Sequence, residues 1–257
     1  MLNVVHHPSV ENAPGLLIVH GLYGSARNWG VIAKRLSDRG PVMAVDQRNH
    51  GSSDWRDTQS YHDMAEDLSE VISGLGNGPV DLLGHSMGGK AAMVLALTRP
   101  ELVNRLIVAD IAPVAYAHSQ IQYIEAMRTV DLHEVTKRSD AEAQLAQVVD
   151  DPTLISFFTQ SLDLKKKKWR LNLDVLAEEM TKILGFPQID GQFDGKTLFV
   201  SGAASDYVTQ NDRPRIKALF PNASFMKIKD AGHWLHAEKP REFESAVRGW
   251  LDKTAQA

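Results

Sequence analysis

The feature of this sequence that most constrains the fold is the stretch Gly84-His85-Ser86-Met87-Gly88, set between an apolar run and a helical pattern. The apolar run covers residues 80–83, and apolar residues at helical spacing follow over residues 90–97. Gly-x-Ser-x-Gly alone is short enough to occur by chance, so its meaning comes from a strand before it and a helix after it. This context predicts a sharp turn that strains the serine and exposes its hydroxyl above the strand end.

Short apolar runs bounded by turn residues predict the other strands of the fold. The runs cover residues 16–19, 42–45, 80–83, 106–109, 197–200 and 224–228. Runs without polar alternation are typical of strands buried on both faces, and strands alternating with helices imply a parallel sheet. We therefore expect an α/β fold with a mostly parallel, doubly wound sheet. Apolar residues at 243, 247, 250 and 251, behind Pro240, predict an amphipathic C-terminal helix.

Between about residues 113 and 190 the strand signal disappears and the pattern becomes helical. Its apolar positions include Leu145, Val148, Leu154, Phe157, Phe158 and Leu162. A long insertion before the penultimate strand predicts a helical lid over the functional site, within a single domain that spans residues 1–257. A set of packing helices that never move is the alternative interpretation.

Ser86 requires a neighbouring base, since a serine hydroxyl is a poor nucleophile at neutral pH. The candidate base is His233, which lies in Asp230-Ala231-Gly232-His233-Trp234 just after the last predicted strand. The carboxyl ends of parallel strands gather functional groups at one edge of a sheet, so the two side chains can meet there. The nearby His236 is interpreted as a packing or capping residue.

A serine nucleophile also needs amide donors for the negative charge that develops on the substrate oxygen. One donor is expected to be the amide of Met87, which directly follows the nucleophile. The second is expected in the loop after residues 16–19, where His20-Gly21-Leu22-Tyr23-Gly24 makes the Leu22 amide the natural donor. His20 is expected to support this loop by hydrogen bonding.

The order of these motifs resembles that of the α/β-hydrolase superfamily, and more closely that of the small bacterial esterases of the YbfF group. The segments that carry the resemblance are Asp46-Gln47-Arg48-Asn49-His50-Gly51, residues 84–90, Asp110-Ile111-Ala112-Pro113 and Ala231-Gly232-His233-Trp234. The resemblance covers nearly the whole chain and is weakest in the insertion. It implies an α/β-hydrolase fold and hydrolysis of acyl esters, with acyl-CoA thioesters as a further substrate class, without a cofactor.

A serine nucleophile and its histidine base are completed by an acid that orients the histidine, which together form a catalytic triad. This acid has two candidate positions here. Most members of the superfamily place the acid after the penultimate strand, in a Gly-x-x-Asp pattern followed three residues on by valine. Here residues 202–208 read Gly-Ala-Ala-Ser-Asp-Tyr-Val, which puts Ser205 at that position and Asp206 one residue away. Asp110 closes the run 106–109 and resembles the acid of the YbfF group. We favour Asp110, keep Asp206 as the alternative acid, and expect Ser205 to hydrogen-bond Asp110 or His233.

Composition excludes several other classes of protein. Apolar residues make up 43% and charged residues 23%, which is a globular composition. A net charge of −4 gives no attraction to nucleic acid, and the lack of cysteine excludes disulfides, thiol catalysis and thiolate metal sites. The N-terminal residues lack a signal-peptide pattern and no apolar run reaches about 18 residues, so we expect neither a signal peptide nor a membrane span. We expect a soluble cytoplasmic protein without a membrane span; the sequence does not specify its oligomeric state.

The remaining motifs leave alternatives open. Asp46, Arg48 and His50 are interpreted as loop-stabilising residues rather than catalytic ones. The run Lys165–Lys168 is expected to be a solvated helix face, with binding of acyl-CoA phosphates as the alternative. A metal hydrolase is disfavoured because His233-x-x-His236 lacks a third ligand. A carbon–carbon bond hydrolase, a cofactor-free haloperoxidase and a non-catalytic binding protein of the same fold remain as alternative functions.

Overall fold

The computed structural model describes residues 1–9, 13–76 and 78–255. Nine strands lie in these ranges: β1 (Asn3–His7), β2 (Leu16–Val19), β3 (Val42–Asp46), β4 (Val80–His85), β5 (Val103–Ala109), β6 (Leu162–Asp163), β7 (Lys168–Trp169), β8 (Lys196–Gly202) and β9 (Ala223–Ile228). Seven of these described strands form one sheet in the order β1-β3-β2-β4-β5-β8-β9. Neighbouring strands from β3 to β9 pair in parallel, which confirms the predicted fold class.

Strand β1 is antiparallel to β3 at the edge of the sheet, and the sequence did not predict it. Its side chains are only partly buried or exposed, so the segment lacks the apolar run that marked the other strands. Its pairing depends on β3, about forty residues along the chain, with Asn3 opposite Asp46. Edge strands of this kind are set by tertiary pairing rather than by local pattern.

The described helices are α1 (Gly30–Leu36), α2 (Tyr61–Leu75), α3 (Met87–Thr98), α4 (Ile121–Arg128), α5 (Arg138–Leu145), α6 (Pro152–Thr159), α7 (Leu173–Glu178), α8 (Met180–Leu184), α9 (Arg213–Leu219), α10 (Leu235–Glu238) and α11 (Pro240–Ala255). They cover both faces of the sheet, because successive strand residues point to opposite sides. Leu17 packs in the core with α2 and α3, whereas Ile18 packs in the core with α1 and α11. The buried positions of α11 are the four apolar residues predicted from the sequence.

The segment between β5 and β8 holds α4 to α8, but it is not helical throughout. Strands β6 and β7 form an antiparallel hairpin, so Leu162 lies in a strand and Lys165–Lys168 form the turn and part of β7 rather than a helix face. Val148 lies beyond the end of α5 and is 58% exposed. Within the hairpin, buried Trp169 donates its indole N–H to the carbonyl of Met127 at 3.0 Å, a contact that local pattern does not predict.

The three longest described helices, α2, α3 and α11, supply buried residues to the cores on the two faces of the sheet. Helix α3, with eleven of its residues buried, follows the nucleophile candidate directly. Within the described ranges, no helix combines the length and the apolar character needed to cross a membrane.

Candidate active site

Ser86 lies in the tight turn between β4 and α3 and has a left-handed backbone, with φ of 51°. Its N–H donates to the carbonyl of Ala109 at 3.0 Å, which ties the turn to β5. A Cβ at Gly84 would lie 2.3 Å from the carbonyl oxygen of Gly88, and one at Gly88 would lie 2.4 Å from that of His20. Only glycine fits at these two positions, so their spacing around Ser86 is a steric requirement of the turn.

The structure brings Ser86, His233 and Asp110 into one hydrogen-bonded chain. Ser86 Oγ lies 3.1 Å from His233 Nε2, and His233 Nδ1 lies 2.7 Å from Asp110 Oδ2. The three residues follow β4, β9 and β5, and so meet at the carboxyl edge of the sheet. Asp110 has a positive φ of 51°, and its N–H donates to the carbonyl of Val200 at 2.9 Å.

The carboxylate of Asp110 is fully buried and accepts two further hydrogen bonds, one from the last residue of β8 and one from the loop that follows. Ser205 donates its hydroxyl to Oδ2 at 2.5 Å, and the Gly202 N–H donates to Oδ1 at 3.0 Å. Asp206, the alternative acid, is exposed. The loop after β8 therefore contributes the Ser205 hydroxyl as a donor to Asp110, whereas its own carboxylate, Asp206, is exposed to solvent.

The ring of Tyr207 stacks on His233, a contact that the sequence analysis did not predict. The ring centroids lie 3.9 Å apart with an interplanar angle of 20°. The Tyr207 N–H donates to Ser205 Oγ at 3.3 Å, and its hydroxyl lies 2.7 Å from His118 Nε2. Burial, with smaller effects from Asp110 and Asp206, raises the pKa of Tyr207 to about 12, so the ring is neutral. It lies against the imidazole and restricts its rotation.

His85, the residue before Ser86, supports the loop of His233. Its Nε2–H donates to the backbone carbonyl of His233 at 2.9 Å. Burial, followed by the neighbouring imidazoles of His236 and His233, holds the pKa of His85 well below its usual value, so the ring is neutral. His236 stacks on Trp29 with centroids 4.1 Å apart, in agreement with its interpretation as a packing residue.

Leu22 and Met87, the predicted oxyanion donors, line the same cavity as Ser86 and His233. Across the described residues, neither backbone N–H has a protein acceptor. Gly21 approaches Ser86 closely, since a Cβ there would lie 3.2 Å from Ser86 Cβ.

Two neutral histidines hold the loop that carries Leu22. His20 Nε2 accepts the N–H of Gln47 at 2.9 Å, and His50 Nε2 accepts the N–H of Tyr23 at 3.2 Å. Burial lowers the pKa of His20, and burial together with His20 lowers that of His50 to about 3. Both rings therefore keep the lone pair with which they accept. These contacts agree with the loop-supporting roles expected for His20 and His50.

Asp46 and Arg48 also hold loops and do not face the cavity. Asp46 accepts the N–H groups of Ala26 and Ser52 at 2.7 and 2.8 Å, and Arg48 pairs with Asp67 at 2.6 Å. The exposed residues Lys165–Lys168 are likewise absent from the described lining of the cavity.

The cavity above Ser86 measures about 290 Å³ and is mostly apolar and aromatic. The segment between β5 and β8 supplies much of its wall, including Tyr116, Tyr123, Leu154, Phe157, Phe158, Ile183 and Leu184. The described ranges contain no group of three or more histidine, cysteine or acidic residues that could hold a metal ion.

Comparison with known proteins identifies the family. Residues 14–240 match the family model described as the alpha/beta hydrolase fold. The chain belongs to this family. An α/β-hydrolase structure of a marine microorganism esterase superposes with a TM-score of 0.91 and 38% identity, covering 97% of this chain and 99% of the other.

Several relatives in this α/β-hydrolase family carry esterase or lipase names. Esterase YbfF of Escherichia coli is 35% identical over 94% of both chains. The sn-1-specific diacylglycerol lipase ABHD11 of Mus musculus is 41% identical over 93% of this chain and 81% of the relative. The predicted resemblance to the YbfF group is confirmed, and the chain is a hydrolase of the esterase and lipase type.

Proposed function

We propose that this α/β-hydrolase cleaves carboxylic esters with Ser86 as nucleophile, His233 as general base and Asp110 as the carboxylate that orients the base. The observation that carries the proposal is the hydrogen-bonded chain from Ser86 Oγ through both nitrogens of His233 to Asp110, at 3.1 and 2.7 Å. Its nucleophile end opens into an apolar cavity, which is where an acyl group would bind.

In the first half of the reaction, Ser86 Oγ attacks the acyl carbon while His233 Nε2 takes the hydroxyl proton. The resulting imidazolium is stabilised by Asp110, and the oxyanion accepts hydrogen bonds from the Leu22 and Met87 amides. The N-terminus of α3 adds its positive dipole end near the same oxygen. His233 then returns the proton to the departing alcohol oxygen, which leaves an acyl-enzyme on Ser86.

In the second half, His233 removes a proton from water, and the hydroxide attacks the acyl-enzyme carbonyl. The tetrahedral intermediate uses the same two amides, and its collapse releases the acid and returns the proton to Ser86. The two steps together consume one ester and one water and release one alcohol and one acid, and neither step uses a cofactor or metal.

The hydrogen bond from Ser205 supports a role in holding the Asp110 carboxylate, without reaction of the hydroxyl itself. Two donors on Oδ2 keep that oxygen directed at His233. The stacked Tyr207 ring supports a similar orienting role on the face of the imidazole.

An oxygen ester with a mainly apolar acyl group is the proposed substrate class. The segment of residues 113–190 would act as a lid, because its side chains roof the cavity. Acyl-CoA thioesters share the chemistry, but the lysines proposed for CoA phosphates do not line the described cavity. The names of the esterase and lipase relatives favour the same oxygen-ester class.

The test is a panel of p-nitrophenyl esters with acetyl, butyryl, octanoyl and palmitoyl groups, run beside the matching acyl-CoA thioesters with and without a chelator. The proposal expects ester turnover that the chelator does not change. No turnover of any ester would refute it; turnover of the thioesters alone would replace the oxygen-ester class by the thioester one.

A further inference from the structure

Lys90 is a buried amine in the wall of the cavity that the proposed reaction does not use. It lies one helical turn after Ser86 on α3, where the backbone N–H of Lys90 donates to the backbone carbonyl of Ser86 at 3.0 Å. Its side chain is 1% exposed, and no carboxylate of the described residues pairs with it. Burial alone lowers its pKa to about 7. A buried ammonium without a counter-ion is costly in free energy, so its other partners matter.

Those partners are carbonyls at the end of α8, in the segment that roofs the cavity. Lys90 Nζ donates to Leu184 at 2.8 Å and to Gly185 at 2.6 Å. The last carbonyls of a helix lack intrahelical donors and carry the negative end of its dipole, so a cation is a favourable partner. The bond crosses 94 residues of sequence and joins the roof of the cavity to the nucleophile helix.

Two tyrosines lie beside this contact: Tyr61 belongs to α2, and Tyr116 belongs to the roof segment itself. Tyr61 donates its hydroxyl to the carbonyl of Ile183, and the Tyr116 N–H donates to that of Leu184 at 3.0 Å. Lys90 Nζ lies 4.7 Å from the centroid of the Tyr116 ring and 5.7 Å from that of Tyr61, within the range of a cation–π interaction. Three successive carbonyls at the end of α8 are thus bound to the body of the protein.

Lys90, Tyr61, Tyr116, Ile183 and Leu184 all line the cavity, and together we call them the Lys90 wall. The cavity, at about 290 Å³, is at the small end of ligand pockets, which measure about 300–1,000 Å³. The position of this wall therefore limits the acyl group that the cavity can hold.

Building on the proposed ester hydrolysis at Ser86, we propose that Lys90 determines acyl-chain specificity by holding the end of α8 against the nucleophile helix. With the wall tied down, the cavity accepts short acyl groups and excludes long ones. Without Lys90, the end of α8 can move outward and longer chains enter.

The experiment compares kcat/KM for p-nitrophenyl octanoate and butyrate in the wild type and in Lys90→Met, which keeps the length and apolar stem of the side chain. One methylene in an apolar pocket is worth about 10–200-fold in discrimination, so the octanoate-to-butyrate ratio should rise at least about tenfold. The matched control is Lys182→Met: this exposed lysine on α8 pairs with Glu179, and its loss should leave the ratio unchanged.

A folded Lys90→Met variant with the wild-type ratio, or with a ratio shifted toward butyrate, overturns the proposal. If Lys90→Met does not fold, Lys90→Gln decides, because it removes the charge and shortens the reach to the carbonyls of Leu184 and Gly185 while keeping a polar group. That variant should shift the ratio in the same direction by a smaller factor, and an unchanged ratio overturns the proposal. Absence of ester turnover in the wild type refutes the proposed function instead, so the two failures are distinguishable.

Discussion

Replacing Asp110 by asparagine keeps the shape of the side chain but removes one acceptor oxygen. In the wild type, Oδ2 accepts from His233 and Ser205 and Oδ1 accepts from Gly202. With its NH2 in the Oδ2 position, the amide opposes the His233 Nδ1–H; with NH2 in the Oδ1 position, it opposes the Gly202 N–H. Either orientation creates a donor–donor contact in a fully buried site.

The size of the effect follows from those contacts. Loss of a hydrogen bond to a charged group costs about 1.5–3 kcal/mol, and an unsatisfied buried donor costs about 1–3 kcal/mol more. At about 1.4 kcal/mol per factor of ten, this predicts a fall in kcat of roughly 10²–10⁴-fold if the cost falls on the orientation of His233. The corresponding change in serine proteases costs about 10⁴ in kcat.

The assay is steady-state hydrolysis of p-nitrophenyl butyrate by Asp110→Asn and Asp206→Asn at one pH, with circular dichroism to check folding. Asp206 is exposed, so its asparagine variant should lose less than about tenfold. A larger loss in Asp206→Asn than in Asp110→Asn would refute the assignment of the acid. Mild losses in both would mean that neither orients His233 and that Ser86 and His233 act as a dyad.

Two predictions concern stability. Gly88→Ala would place a Cβ 2.4 Å from backbone oxygens of Val19 and His20 and should destabilise the protein by about 1–3 kcal/mol in urea unfolding. Gly249→Ala, in open space on α11, should stabilise it by about 0.5–1 kcal/mol; similar effects of the two changes would contradict the packing described for the turn. Burial lowers the pKa of Lys90 from 10.5 to about 7 in the folded protein, so between these values the unfolded chain binds more protons. The free energy of unfolding of the wild type should therefore rise with pH above about 7, by up to about 1.4 kcal/mol per pH unit more than that of Lys90→Met. Equal pH dependence of the two proteins would contradict the lowered pKa of Lys90.

The sequence predicts the sheet and the turn at Ser86 well because both depend on local pattern. Runs of apolar residues mark strands buried on both faces, and Gly84 and Gly88 are required by contacts within the turn itself. The prediction of Asp110 rests on its place at the end of the run 106–109 and on the resemblance to the YbfF group, since no spacing rule joins it to His233 across 123 residues. The catalytic roles of these residues remain predictions.

Other features depend on contacts between distant parts of the chain, which a single sequence does not display. His85 meets the carbonyl of His233 across 148 residues, and Lys90 meets α8 across 94. The β6–β7 hairpin and the edge strand β1 are set by tertiary pairing, and their short, partly polar sequences resemble loops. A lysine within an otherwise apolar helix was the only available signal of the Lys90 wall.

The most direct test of the central proposal is covalent labelling of the nucleophile. The native protein is treated with a fluorophosphonate, digested, and mapped by mass spectrometry, in parallel with ester turnover by Ser86→Ala. We predict that the label lies on Ser86 and is absent from the folded alanine variant, which should keep only a residual rate of about 10³–10⁴-fold over water. Labelling at another residue alone, or near-native turnover by Ser86→Ala, would contradict a serine mechanism at this site.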